Sequence, residues 1–128
     1  MASHHFIGNG LVSGTLVDAA RDAEKLIVGV TRRIHDAGLE VVAHRAVDFD
    51  NDGLTVVWVL AESHLVLHHW GREGYATLDL HVCDYQAPNA VKAKTLVTTL
   101  TEFCFEQGTE TWREIHLEAP ARAECRAG

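Results

Sequence analysis

At 128 residues the chain has the length of one domain, and its 47% apolar share can bury a sizeable core without disulfide staples. A formal net charge of -7 argues against a nucleic-acid surface and mildly favours cationic ligands. No run approaches the length of a membrane span and nothing reads as a signal peptide, while three cysteines without paired spacing fit a reducing cytoplasm.

Residues 3–12 read as a first strand broken by glycines. From about Val17 to Ala37, the spacing of Ala20, Ala23, Leu26, Ile27, Val30 and Ile34 predicts one amphipathic helix, with Gly38 placed to end it. Leu39 to Val47 is a strand candidate, and Asp50-Asn51-Asp52-Gly53 has the chemistry of a turn. Leu54 to Ala61 is continuously apolar and β-branched, as a buried strand would be. Leu65 to Trp70 and Tyr75 to Cys83 flank the hairpin-like connection Gly71-Arg72-Glu73-Gly74. Pro88 and Asn89 open a second helix running to about Gln107, and Thr109 to Leu117 supplies a last strand. Residues 121–128 read as a loose tail. The expected fold is therefore α+β, a two-layer sandwich of a mainly antiparallel sheet with two helices on one face.

Glu62-Ser63-His64, with His68 five residues beyond Ser63 and Cys83 at the end of the next apolar run, supplies a possible nucleophile, base and proton donor. Strict alternation puts Ser63 and His68 on opposite faces of a strand, so either a bulge or turn separates them or they do not act together. His64, His68, His69, His81 and Cys83 are close in sequence but match no known zinc spacing, so no metal site is expected. His4, His5, His35, His44 and His116 read as surface or partly buried residues. Cys104 between Phe103 and Phe105, Trp58 and Trp112 read as packing.

Phe49, Gly53 and Thr55, then Glu62-Ser63-His64-Leu65, His68, Trp70, Gly74-Tyr75-Ala76, Leu78-Asp79-Leu80 and Cys83 form an ungapped pattern. In this pattern the chain resembles the prokaryotic S-adenosylmethionine decarboxylases, small self-processing enzymes of polyamine synthesis. The likeness extends through the helix and strand order over nearly the whole chain.

The resemblance implies a pyruvoyl cofactor made from Ser63, with processing into residues 1–62 and 63–128. Ser63 would attack the Glu62 carbonyl, and the resulting ester would be eliminated to leave the new N-terminal ketone. That ketone is an electron sink, taking the substrate amine as a Schiff base. His68 matches the processing base, Thr55 a serine that helps stabilise the processing intermediate, and Cys83 the donor that returns a proton after decarboxylation. Phe49 and Trp70 match aromatic positions near the nucleoside.

Several positions depart from the family pattern. Arg72 stands where a ribose-binding glutamate is usual, leaving Glu73 to take over if the loop is re-registered, and Gly71 replaces a proline. Asp84 replaces a glycine and Val66 a hydroxyl residue. These differences keep open an arginine or ornithine decarboxylase, with Asp48, Asp50 and Asp52 offering charge to a cationic side chain, although an ordinary Asx-rich turn explains those residues more simply. They also leave open an unprocessed homologue with a binding or regulatory role. The family further implies a cytoplasmic homodimer with a small-molecule substrate, without nucleic-acid or membrane partners.

Overall fold

The computed structural model describes residues 1–121. Along the chain come β1 (Ala2–Leu11), α1 (Gly14–Ala20), α2 (Ala23–Asp36), β2 (Val41–Phe49), β3 (Gly53–Leu60), β4 (Ser63–Trp70), β5 (Tyr75–Cys83), α3 (Ala90–Cys104) and β6 (Thr111–Glu118). The strands form one antiparallel sheet in the order β2-β3-β4-β5-β1-β6. Of the tail expected from residue 121, only Ala121 is among the described residues; Cys125 lies outside them.

The expected α+β sandwich is present, but with three helices among the described residues rather than two. The apolar spacing over 17–37 runs across a break that Asp22 makes. Its backbone is extended (φ -136) and its carboxylate accepts from the Glu24 N–H at 3.1 Å, so it caps α2 instead of continuing α1. The start of α1 is set earlier than expected by Ser13, whose hydroxyl accepts from the Leu16 N–H (3.0 Å) and donates to the Phe103 carbonyl (2.6 Å). Gly38, in the left-handed region at φ +90, ends α2 as expected.

Alternation divides the sheet into two faces. Leu54, Val56, Trp58 and Leu60 of β3, Leu65 and Leu67 of β4, and Ala76, Leu78, Leu80 and Val82 of β5 are buried against Leu26, Val30 and Ile34 of α2 and Leu96 and Leu100 of α3. Each fully buried Leu or Val contributes about 1.5–3 kcal/mol. Trp58 and Trp112 are packing residues with satisfied indoles, donating to Thr31 (3.2 Å) and Thr101 (2.9 Å) respectively.

The opposite face carries Thr55, Val57 and Val59, then His64, Val66, His68 and Trp70, then Tyr75, Thr77, Asp79, His81 and Cys83. No described helix covers it, and Val59 and Ile7 are each 45% exposed. An open sheet face with this much apolar surface positions everything that follows.

Candidate active site

At one end of the sheet, β3 and β4 are joined by only two residues, Ala61 and Glu62, with Leu60 and Ser63 paired across the turn. So tight a connection needs a left-handed residue, and here that residue is Glu62 at φ +58. For a residue with a Cβ this costs about 1–2 kcal/mol, stored at the Glu62-Ser63 peptide. The Cys83 thiol donates to the Glu62 carbonyl oxygen at 3.2 Å. Any charge developing on that oxygen meets a donor already in place, and the carbonyl carbon lies next to the Ser63 backbone nitrogen. A cleft of about 290 Å3 opens here, lined in part by Leu60, Glu62, Cys83, Tyr85, Asn89 and Lys92.

At the other end, Thr55 and His68 are direct cross-strand partners, with Oγ1 and Nδ1 2.9 Å apart. The Trp70 ring lies tilted between His68 (centroids 5.7 Å) and Tyr75 (5.4 Å). Phe49, at the end of β2 and 54% exposed, joins Thr55, His68 and Trp70 around a cleft of about 370 Å3. Two turns are pinned together beside it. The Gly71 N–H donates to the Asp52 carbonyl at 3.0 Å, and a Cβ on Gly71 would sit 2.5 Å from that oxygen, so only glycine fits. Arg72 and Glu73 are exposed in the same turn.

His69 shares this end but faces the helices. It is buried, its Nε2 has no partner among the described residues, and burial holds its pKa below the ordinary 6.5 despite the opposing charge of Asp52.

The expected site residues therefore form two clusters. Glu62, Ser63 and Cys83 come together at the turn; Phe49, Thr55, His68 and Trp70 come together at the far cleft. The β3–β4 register runs unbroken from Gly53 with Trp70 to Leu60 with Ser63, so no bulge re-aims the strand. Ser63 thus faces the helices, beside Leu60, while His68 faces the open side. From Thr77, the β5 partner of His68, to Cys83 is six residues, or about 20 Å. Within one chain Ser63 and His68 do not meet.

One cluster was not expected from the sequence. His4 is only 8% exposed, its Nε2 lies 3.0 Å from Asp84 Oδ2, and its Nδ1 lies 2.7 Å from Nδ1 of His116. His116 Nε2 in turn approaches Glu114 at 3.2 Å. Asp84 Oδ1 accepts from the Asn89 N–H (2.9 Å), while Asn89 Nδ2 donates to the Cys83 carbonyl (2.8 Å). The bond from the Asn89 N–H and then that from His4 draw the Asp84 pKa below the ordinary 3.8. Asn89 opens α3 without a side-chain cap. The available signal was Asp84 itself, a departure from the family pattern. Among the described residues no three His, Cys, Asp or Glu side chains are arranged to hold a metal ion.

The profile of the S-adenosylmethionine decarboxylase family matches residues 5–109. An S-adenosylmethionine decarboxylase proenzyme of Symbiobacterium thermophilum is 40% identical over 63 residues, covering 49% of this chain and 48% of that protein. One from Pyrobaculum islandicum is 32% identical over 92 residues, covering 70% of this chain and 72% of its own length. The chain spans about half the length of the first of these curated relatives. In fold it is similar to the crystal structure of the adenosylmethionine decarboxylase from Aquifex aeolicus, with a TM-score of 0.72, 19% identity and coverage of 94% and 93% of the two chains. The chain belongs to the S-adenosylmethionine decarboxylase family.

Proposed function

We propose that the chain is a self-processing, pyruvoyl-dependent S-adenosylmethionine decarboxylase that cleaves between Glu62 and Ser63. The observation that carries this is the Cys83 thiol on the carbonyl of a left-handed Glu62, with Ser63 next in the chain. Ser63 Oγ attacks that carbonyl carbon, the developing charge rests on the oxygen facing Cys83, and the peptide nitrogen leaves as the Ser63 amine. Relief of the Glu62 conformation favours the resulting ester. Removal of the Ser63 α-proton expels the Glu62 carboxylate; tautomerisation and addition of water then release ammonia. The N-terminal pyruvoyl group so formed supplies an electron sink for loss of carbon dioxide. Cys83, already at this position, is the proton donor to the substrate α-carbon.

The α-proton needs a base, and His68 of the same chain is at the other end of β4, about 20 Å away. A second copy supplies it. The open face is apolar enough to pair with itself, and a two-fold axis near Asp79 and His81, midway between Thr77 and Cys83, lays each turn over its partner's cleft. Thr55 and His68 then serve processing in trans, while Phe49 and Trp70 stack the adenine ring and Glu73 meets the ribose hydroxyls. A homodimer is the smallest complete unit in this reading.

Intact mass under denaturing conditions tests it. The expected result is two fragments, 1–62 and 63–128, the second lighter by ammonia than simple hydrolysis gives, together with carbon dioxide release from S-adenosylmethionine but not from arginine or ornithine. A chain that stays whole on long incubation would turn the reading to a non-catalytic binding role.

A further inference from the structure

We propose that Asp84 is a positioning residue for Cys83, held in place by His4 of β1 and by Asn89 at the start of α3. This rests on the decarboxylase reading, in which the Cys83 thiol must meet first the Glu62 carbonyl and later the substrate α-carbon.

Cys83 is the last residue of β5, where strand pairing would ordinarily fray, yet its connection to Asp84 is held from several sides. The Cys83 carbonyl accepts from Asn89 Nδ2 at 2.8 Å, and the Asp84 N–H donates to the Ala2 carbonyl at 2.9 Å. One Asp84 oxygen accepts from the Asn89 N–H at 2.9 Å, and the other takes the His4 ring at 3.0 Å. The carboxylate thus ties two elements that approach from different directions, β1 and α3, to the residue after the thiol.

His4 is itself aligned, because its second ring nitrogen is 2.7 Å from His116. A carboxylate accepts only, so His4 Nε2 carries a proton toward Asp84, which leaves His4 Nδ1 to accept from His116 Nδ1. The His4 ring is thus held at both nitrogens, by a carboxylate on one side and an imidazole on the other, which fixes its plane.

The consequence is geometric. Freed of Asp84, the Cys83 carbonyl keeps one bond to an Asn89 that has lost its own anchor. The thiol can then leave the Glu62 oxygen without any change in the core. Asp84→Asn keeps an oxygen for the Asn89 N–H and can donate its amide to His4 in the other tautomer, so it preserves the clamp. Asp84→Ala does not.

The test compares wild type, Asp84→Ala and Asp84→Asn as full chains. The first readout is the rate of Cys83 alkylation by iodoacetamide in native protein, resolved by peptide mass. Cys104 does not compete: it is wholly buried, and its thiol pKa is pushed up to about 12. The second is kcat and KM per cleaved chain, with the melting temperature alongside. In Asp84→Ala, alkylation rises and kcat falls, each by about tenfold, with KM unchanged. Asp84→Asn returns both to within about threefold of wild type.

An alkylation rate unchanged in Asp84→Ala overturns the proposal, whether or not the chain is cleaved. Equal kcat losses in both variants that track a fall in melting temperature also overturn it, making Asp84 merely structural. A wild-type chain that stays uncut, but whose Cys83 alkylation rises in Asp84→Ala and is restored in Asp84→Asn, upholds the clamp and sinks the processing reading instead.

Discussion

The two ends of β4 are built differently. Around Ser63 the backbone is turned sharply, Glu62 is left-handed, and Cys83 is buried with its thiol spoken for. Around Trp70 the rings of His68, Trp70 and Tyr75 line an open cleft with Phe49 exposed beside it. The first end can hold a strained bond against a donor; the second can receive a flat ligand and a proton. Neither does both, and eight residues of straight strand keep them apart. Chemistry that needs both ends needs two chains.

The largest effect should come from Ser63→Ala, which removes the proposed nucleophile at the strained end. Cleavage and decarboxylation should both fall below detection while the fold, read by circular dichroism, is kept. A cleaved and active Ser63→Ala protein would remove the proposal entirely.

Mixing the two ends in one dimer tests whether they act together. Ser63→Ala and His68→Ala chains should each stay whole when expressed alone. Co-expressed, they should form mixed dimers in which the His68→Ala chain is cut, because its Ser63 meets the His68 of its partner. Random pairing makes about half the dimers mixed, and one of the two sites in each is intact, so roughly half of the His68→Ala chains should cleave. No cleavage in the mixture, with mixed dimers shown by native mass spectrometry, would place His68 outside processing in trans.

Glu62→Gly probes the stored strain. Glycine takes the left-handed conformation freely, so the uncut chain should gain about 1 kcal/mol of stability and cleave severalfold more slowly. Faster cleavage would show that the left-handed backbone hinders the acyl shift.

Much of this was legible in the sequence. The continuous run Leu54 to Ala61 predicted a buried strand, which the structure ends at Leu60, and alternation from Tyr75 to Cys83 assigned the faces of the second. The same alternation already separated Ser63 from His68. The break between α1 and α2 was not legible, because apolar spacing passes through Asp22 and only the capping bond reveals the stop. Nor was the His4 to Asp84 contact, which joins residues 80 apart. It exists because β1 pairs with β5 in the register that sets Ser3 against Cys83, and no local pattern encodes that register.

The smallest effect concerns His69, a ring at the cleft end that faces the helices. Its folded pKa is below 6.5, so as the pH falls through 6.5 the unfolded chain takes up a proton that the folded chain refuses. Stability therefore declines as the pH falls below about 6.5 and levels off once the folded pKa is reached. His81 works in the same direction, through burial and then the neighbouring His5 and His64. Asp84 acts in a separate window: the stability it contributes is present above 3.8 and is lost only as the pH falls through its lowered value. His69→Leu should therefore make the melting temperature fall less between pH 7.5 and 5.5 than it does in wild type, leaving the part due to His81. The turn end should be untouched, so the variant should cleave at the wild-type rate. An unchanged slope would mean that the orphaned Nε2 takes its proton in the folded chain as readily as in the unfolded one, and the contrast between a closed end and an open one would lose its electrostatic part.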